Sequence, residues 1–171
     1  MKTRNGFTLI EMLVYIGVLT VIIAVIASFF LWASRSFSKT KAIQETSNNG
    51  QRAMEIIISE IREASGIYTS TSTSTQLSLT TSKYLPDGET SSYLDIFLCQ
   101  DQICLKKESQ PAVALTSNNV RVSNLSFTRI NSTSTALSIQ VAFTVDYKTS
   151  SQKPELKAAF SSTSTAAIRT Y

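Results

Sequence analysis

The chain has 171 residues, 43% of them hydrophobic, which is enough for one domain with an appendage. Lysine and arginine number 16 against 12 aspartates and glutamates, an excess too small to mark a general nucleic-acid surface. Histidine is absent, which excludes serine or cysteine nucleophiles paired with histidine and removes the commonest metal ligand.

The hydrophobicity is concentrated at one end. From Phe7 to Ala33 the chain is nearly unbroken apolar sequence, and the remainder is rich in Ser and Thr. Met12 to Ala33 is a charge-free stretch of 22 residues. At about 1.5 Å per residue it crosses a hydrocarbon core of about 30 Å once. Its length, without proline or a turn signal, favours helix over paired strands, and lipid selects helix again because backbone groups there must be satisfied internally.

A secretory signal peptide is the first alternative, since Lys2 and Arg4 form a basic start. The apolar run is too long for one, and no A-x-A cleavage site precedes Arg35. Charge leaves the orientation open, because Arg35, Lys39 and Lys41 follow the span and oppose Lys2 and Arg4. Glu11 is the only charge between Arg4 and Arg35. A carboxylate at the hydrocarbon edge either reaches back to water or has a partner.

Gly6-Phe7-Thr8-Leu9-Ile10-Glu11, after a short basic leader and before an apolar helix, resembles the processing motif of type IV prepilins and type II secretion pseudopilins. The resemblance covers about the first thirty residues. It implies cleavage after Gly6 by a prepilin peptidase, which also acts as methyltransferase on the new N-terminal residue, Phe7. It further implies that Glu11 pairs with the Phe7 amine of a neighbouring subunit during assembly. Two buried opposite charges are each costly alone and neutralise one another at low dielectric, so such a pair would check the register between subunits. The other partners implied are further pilin or pseudopilin subunits, an inner-membrane assembly platform, and membrane lipid before assembly. The expected location is the cytoplasmic membrane, with the head outside the cytoplasm, and then a pilus or a periplasmic pseudopilus. One departure is the absence of proline near Ser28, where many members of the family have one.

Beyond Trp32, Met54, Ile57, Ile58, Ile61 and Ala64 recur at helical spacing and predict one buried stripe. Glu55, Glu60, Arg62 and Glu63 are solvent-facing candidates, and the helix is expected to end near Ala64, before Gly66. Thr46-Ser47-Asn48-Asn49-Gly50 is polar and weakly helical, a place where the helix could break. Unbroken from Phe7 to Ala64, it would measure roughly 87 Å. Gln51 to Gly66 also looks like the corresponding helix of J-type minor pseudopilins and related minor pilins.

Thr69 to Thr75 alternates Ser and Thr and reads as a flexible or extended loop. The pattern then changes to a period of two. Leu137, Ile139, Val141, Phe143, Val145 and Tyr147 alternate with Ala136 and smaller or polar residues in the clearest strand of the chain. Weaker strands are expected at 76–81, 93–99, 103–107, 120–130 and 155–161. The predicted fold is α+β: a long N-terminal helix, membrane-spanning in its first half and amphipathic in its second, packed on an antiparallel sheet. The corresponding divisions are a leader at 1–6, a transmembrane helix at 7–33, a stalk at 34–66 and a β-rich head at 67–171.

Cys99 and Cys104 are the only cysteines. Outside the cytoplasm they would form a local disulfide stapling a tight hairpin; the alternative is a pair of free thiols. No phosphate loop, metal cluster or positioned nucleophile marks the head, so no cofactor, metal or catalytic residue is assigned. Asp87, Glu89, Asp95 and Asp101 lack the spacing of a calcium loop and read as surface charges. The expected function is a filament subunit rather than an enzyme. Two alternatives remain: a competence-type minor pilin binding DNA through Arg121, Arg129, Lys148, Lys153, Lys157 and Arg169, and a simple membrane-anchored domain.

Overall fold

The computed structural model describes residues 8–83, 85, 87–131, 137–150 and 153–168. Among these residues one α-helix, α1, runs from Leu9 to Glu63, and eight strands follow. These are β1 Gly66–Ile67, β2 Gln76–Thr81, β3 Ser92–Cys99, β4 Gln102–Lys107, β5 Val113–Ala114, β6 Val120–Asn131, β7 Leu137–Tyr147 and β8 Ala159–Ala167. The chain divides into two compact units, Met1–Ser38 and Lys39–Tyr171.

The first unit is helix with apolar side chains facing outward, described under the site below. In the second unit, α1 from Lys39 onward packs against two antiparallel sheets, one of five strands in the order β1-β2-β3-β4-β5 and one of three in the order β6-β7-β8. The α+β layout is therefore pilin-like, with the head's strands divided between two sheets rather than gathered in one. The core is filled by Ile57 and Ile61 from the helix, Leu79, Leu94, Ile96 and Ile103 from the larger sheet, and Ile139, Val141 and Val145 from the smaller. Along β7 the buried residues alternate, as the period-two pattern requires.

The polar stretch 46–50 does not break the helix. Thr46 and Gly50 are buried, four residues apart, in line with Ala42, Ala53, Ile57 and Ile61. The buried stripe thus continues through this segment in small residues, which let the head approach closely. A Cβ added at Gly50 would lie 2.3 Å from the Phe160 ring, so β8 lies directly on that turn. Asn49 and Glu45, at the edge of the stripe, bind the turn before β6. The Asn49 side-chain oxygen accepts the Ser117 N–H at 2.7 Å, while the Glu45 carboxylate accepts from the Ser117 hydroxyl at 3.0 Å and the Asn119 amide at 3.3 Å. Tertiary contacts here override weak helix propensity.

Strand positions match the expected ones at β2, β3, β4, β6 and β7 to within one or two residues. The last strand is displaced: 154–156 is a turn of 3₁₀ helix, and β8 begins at Ala159. Pro154 fixes φ and lacks an N–H, which suits the first position of that turn. Ala136, placed in the alternation of β7, lies outside the described residues. The two-residue strands β1 and β5 carry too short a pattern to be foreseen.

The loop at 69–75 is not extended. Ser72 donates its N–H to the Tyr68 carbonyl at 3.3 Å, and Thr73 to that of Gln76 at 2.8 Å. The Ser74 carbonyl accepts the Phe127 N–H at 2.8 Å and so ties the larger sheet's loop to β6. Alternating hydroxyls here stitch a turn rather than line a strand.

Candidate processing and assembly site

Gly6 and Phe7, the expected cleavage and methylation residues, lie outside the described residues. Immediately after them, Thr8 caps α1. Its hydroxyl accepts the Glu11 N–H at 3.4 Å, and the Glu11 carboxylate accepts from both the N–H and the hydroxyl of Thr8, each at 3.4 Å. This reciprocal Thr-x-x-Glu arrangement is a capping box, which satisfies backbone donors that a helix start leaves orphaned. The anionic side chain also complements the positive end of the helix dipole. Thr8 was not singled out from the sequence, although the spacing Thr8-Leu9-Ile10-Glu11 before an apolar run is its signal. Glu11 therefore sits in the first turn, three residues after Thr8, with its carboxylate turned back onto Thr8.

Below this cap every described side chain from Leu9 to Trp32 is exposed. The apolar window long enough to cross a membrane has no residue buried within the chain. Twenty or so outward apolar residues have no stable place in water and require lipid or other helices. Ser28 donates its hydroxyl to the Ala24 carbonyl at 2.9 Å, and the helix runs unbroken past it.

Residues 1–27 match the family described as the prokaryotic N-terminal methylation motif. The chain carries a type IV prepilin-like signal. No curated protein and no solved structure matches the chain. The motif implies processing by a prepilin peptidase and assembly with other pilins, and its family is structural rather than catalytic. Together with the apolar helix it points to a membrane-anchored, pilin-like protein.

In the head, Cys99 and Cys104 are joined by a disulfide, with Cα atoms 5.8 Å apart. They sit at the end of the β3–β4 hairpin, where Cys99 is opposite Gln102 and Phe97 opposite Cys104. Gln100, with φ of 57°, makes the tight turn. The tip is also the joint between the sheets. The Asp101 carbonyl accepts the Val122 N–H at 2.8 Å, and its carboxylate lies 3.4 Å from both Arg121 and Lys148. Two of the cations considered for DNA thus share one carboxylate, and Arg169 lies outside the described residues. Asp95 accepts the Ser78 hydroxyl at 2.5 Å on the larger sheet. Among the described residues no cluster of three or more candidate metal ligands forms.

Two carboxyl groups of the helix are shifted in opposite directions. Glu45 is held below the ordinary carboxylate value by hydrogen bonds from Asn119, Ser117 and Asn49, aided by Lys41 and opposed by burial. Glu60, a solvent-facing candidate by sequence, is half-buried, and desolvation raises it; Glu63 adds to the rise while Lys107 and Lys83 oppose it. Neither group meets a nucleophile or a metal cluster among the described residues, and both report on how the helix is docked.

Proposed function

We propose that the chain is the precursor of a structural subunit of a type IV pilus or type II secretion pseudopilus. It is cut after Gly6, methylated at Phe7, and assembled through its N-terminal helix by way of an inner-membrane platform. The observation that carries this reading is the coincidence of the methylation motif at residues 1–27 with an apolar helical stretch in which no described residue is buried.

Before assembly, lipid solvates the apolar face. In the filament, neighbouring helices replace lipid, and the Phe7 amine of one subunit meets the Glu11 carboxylate of another. The capping box gives Glu11 a local role as well: it keeps the carboxylate hydrogen-bonded at the first turn until the intermolecular pair forms. Cleavage after Gly6 is what creates the amine, so processing and register are linked.

The test is mass analysis of the mature N-terminus from cells that carry a prepilin peptidase. The expected product begins at methylated Phe7, and a Gly6 substitution leaves the chain uncut. An intact Met1 terminus in both would leave only a membrane-anchored domain. Glu11→Ala is expected to be cleaved normally and to enter filaments poorly; normal incorporation would remove the pairing role.

A further inference from the structure

Where the two sheets meet beyond the end of α1, a groove of about 460 Å³ opens between the 69–75 loop and β6. Its floor is apolar, formed by Ile67, Leu77, Phe127 and Ile139. Thr and Ser residues of the 69–75 loop and Thr128 complete its lining, and its single charge is Arg129. Arg129 is exposed and has no carboxylate partner among the described residues.

The backbone of β6 supplies the second feature. On the side away from β7, the Phe127 N–H is bonded to the Ser74 carbonyl at 2.8 Å. By the period of two, the Arg129 N–H and carbonyl project from the same edge, where no backbone partner exists among the described residues. The larger sheet protects its own margins with the two-residue strands β1 and β5, whereas among the described residues no strand pairs with this side of β6.

We propose that this groove is a docking site for an extended peptide segment of a partner protein. The segment adds a short strand to the edge of β6 beyond Phe127, lays an apolar side chain on the Phe127–Leu77 floor, and places an aspartate or glutamate against Arg129. Free main-chain groups call for a peptide rather than a small molecule, because an added strand satisfies N–H and C=O groups in alternation. The unpaired guanidinium in an otherwise uncharged groove selects the acidic residue, through a planar two-pronged hydrogen bond. The proposal does not depend on filament assembly.

The test uses the full-length chain in mild detergent and immobilised synthetic peptides that alternate Val and Thr around a central Glu, Gln or Lys. The Glu peptide is expected to be retained about tenfold more strongly than the Gln peptide, the ratio for one charge-assisted hydrogen bond. Arg129→Gln should abolish that preference, and Arg129→Glu should transfer it to the Lys peptide. Methylating the central amide nitrogens of the Glu peptide should release it. Arg129 is exposed, so neither variant disturbs the core. Failure to retain any of the peptides, equal retention of all three, or retention that ignores both Arg129 variants would overturn the proposal; the last would move binding to another edge, such as β8.

Discussion

From Leu9 to Trp32 the helix exposes every described side chain, whereas Ala42, Thr46, Gly50, Ala53, Ile57 and Ile61 of the same helix are buried. The exposed part is the more hydrophobic of the two. Burial here follows the partner and not the residue type: sheets cover the second part, and among the described residues no side chain of the first is buried. A helix can thus be specified twice, once by an apolar surface awaiting lipid or neighbours and once by a stripe of small and branched residues matched to a head.

The sharpest way to test that contrast is to remove the same methyl groups from both parts. Ile57 is fully buried, and Ile57→Ala is expected to destabilise the head by about 2–5 kcal/mol. Ile23, 57% exposed in the isolated chain, should leave head stability within about 0.5 kcal/mol when changed to Ala. Chemical unfolding of the detergent-solubilised chain, followed by near-ultraviolet dichroism, reads both. Equal losses would mean that the two parts unfold as one cooperative body.

The disulfide comes next in size. Closing so short a loop contributes about 2 kcal/mol in the chain-entropy account, and replacing both Cys99 and Cys104 by Ser should lower stability by that amount. Because Asp101 at the hairpin tip also binds Val122, Arg121 and Lys148, the double variant should loosen β3–β4 and the start of β6 together. Hydrogen exchange confined to the hairpin alone would show that the tip does not join the sheets.

Gly17 and Gly50 give a smaller contrast within one helix. A Cβ at Gly17 meets nothing within 4 Å, while at Gly50 it collides with Phe160. Alanine is favoured over glycine in a helix by about 1 kcal/mol, so propensity alone would make both changes stabilising. Overpacking costs about 1–3 kcal/mol, so Gly50→Ala should be net destabilising by up to about 2 kcal/mol. Gly50→Ala with Phe160→Leu should recover most of that loss in the same unfolding assay. Gly17→Ala should leave the head unchanged.

Much of this was legible in the sequence because repetition carries it. The alternation in β7 and the spacing of Ile57, Ile58 and Ile61 each average over several residues, and the six-residue processing motif is recognised as a word. What escaped was set by tertiary partners. Thr46 to Gly50 reads as a break because hydroxyl and amide side chains compete with helix locally, yet here the Thr46 hydroxyl donates back to the Ala42 and Ile43 carbonyls, the Asn49 side-chain oxygen accepts the Ser117 N–H, and Gly50 fits beneath Phe160. The Ser/Thr loop folds back through bonds to its close neighbours Tyr68, Gln76 and Ser78 and to one distant partner, Phe127, none of which the alternation of Ser and Thr displays. The capping box is readable from Thr8 and Glu11 three residues apart, beside the intersubunit pairing that the motif implies for Glu11.

The smallest effect tests how the helix is docked. The Glu45 carboxylate is stabilised by Asn119, Ser117 and Asn49, so its folded pKa lies below the unfolded value of 4.5. Its contribution to stability is present above that value and is lost as pH falls through the lowered pKa. Glu60 has the opposite sign: desolvation makes folding favour its neutral form, so its contribution is present below 4.5 and lost as pH rises through the raised pKa. Glu45→Gln should therefore flatten the fall in urea midpoint on acidification from about pH 5 to about pH 3, whereas Glu60→Gln should raise the midpoint near pH 7 and lose that advantage toward about pH 4. Lys83 and Lys107 pull Glu60 back toward ionisation, so the Glu60 advantage should grow in Lys107→Met, where an opposing charge is gone. If both glutamine variants instead track the parent at every pH, neither carboxylate senses the docked helix, and the contacts of Glu45 with the Ser117 turn are not maintained in solution.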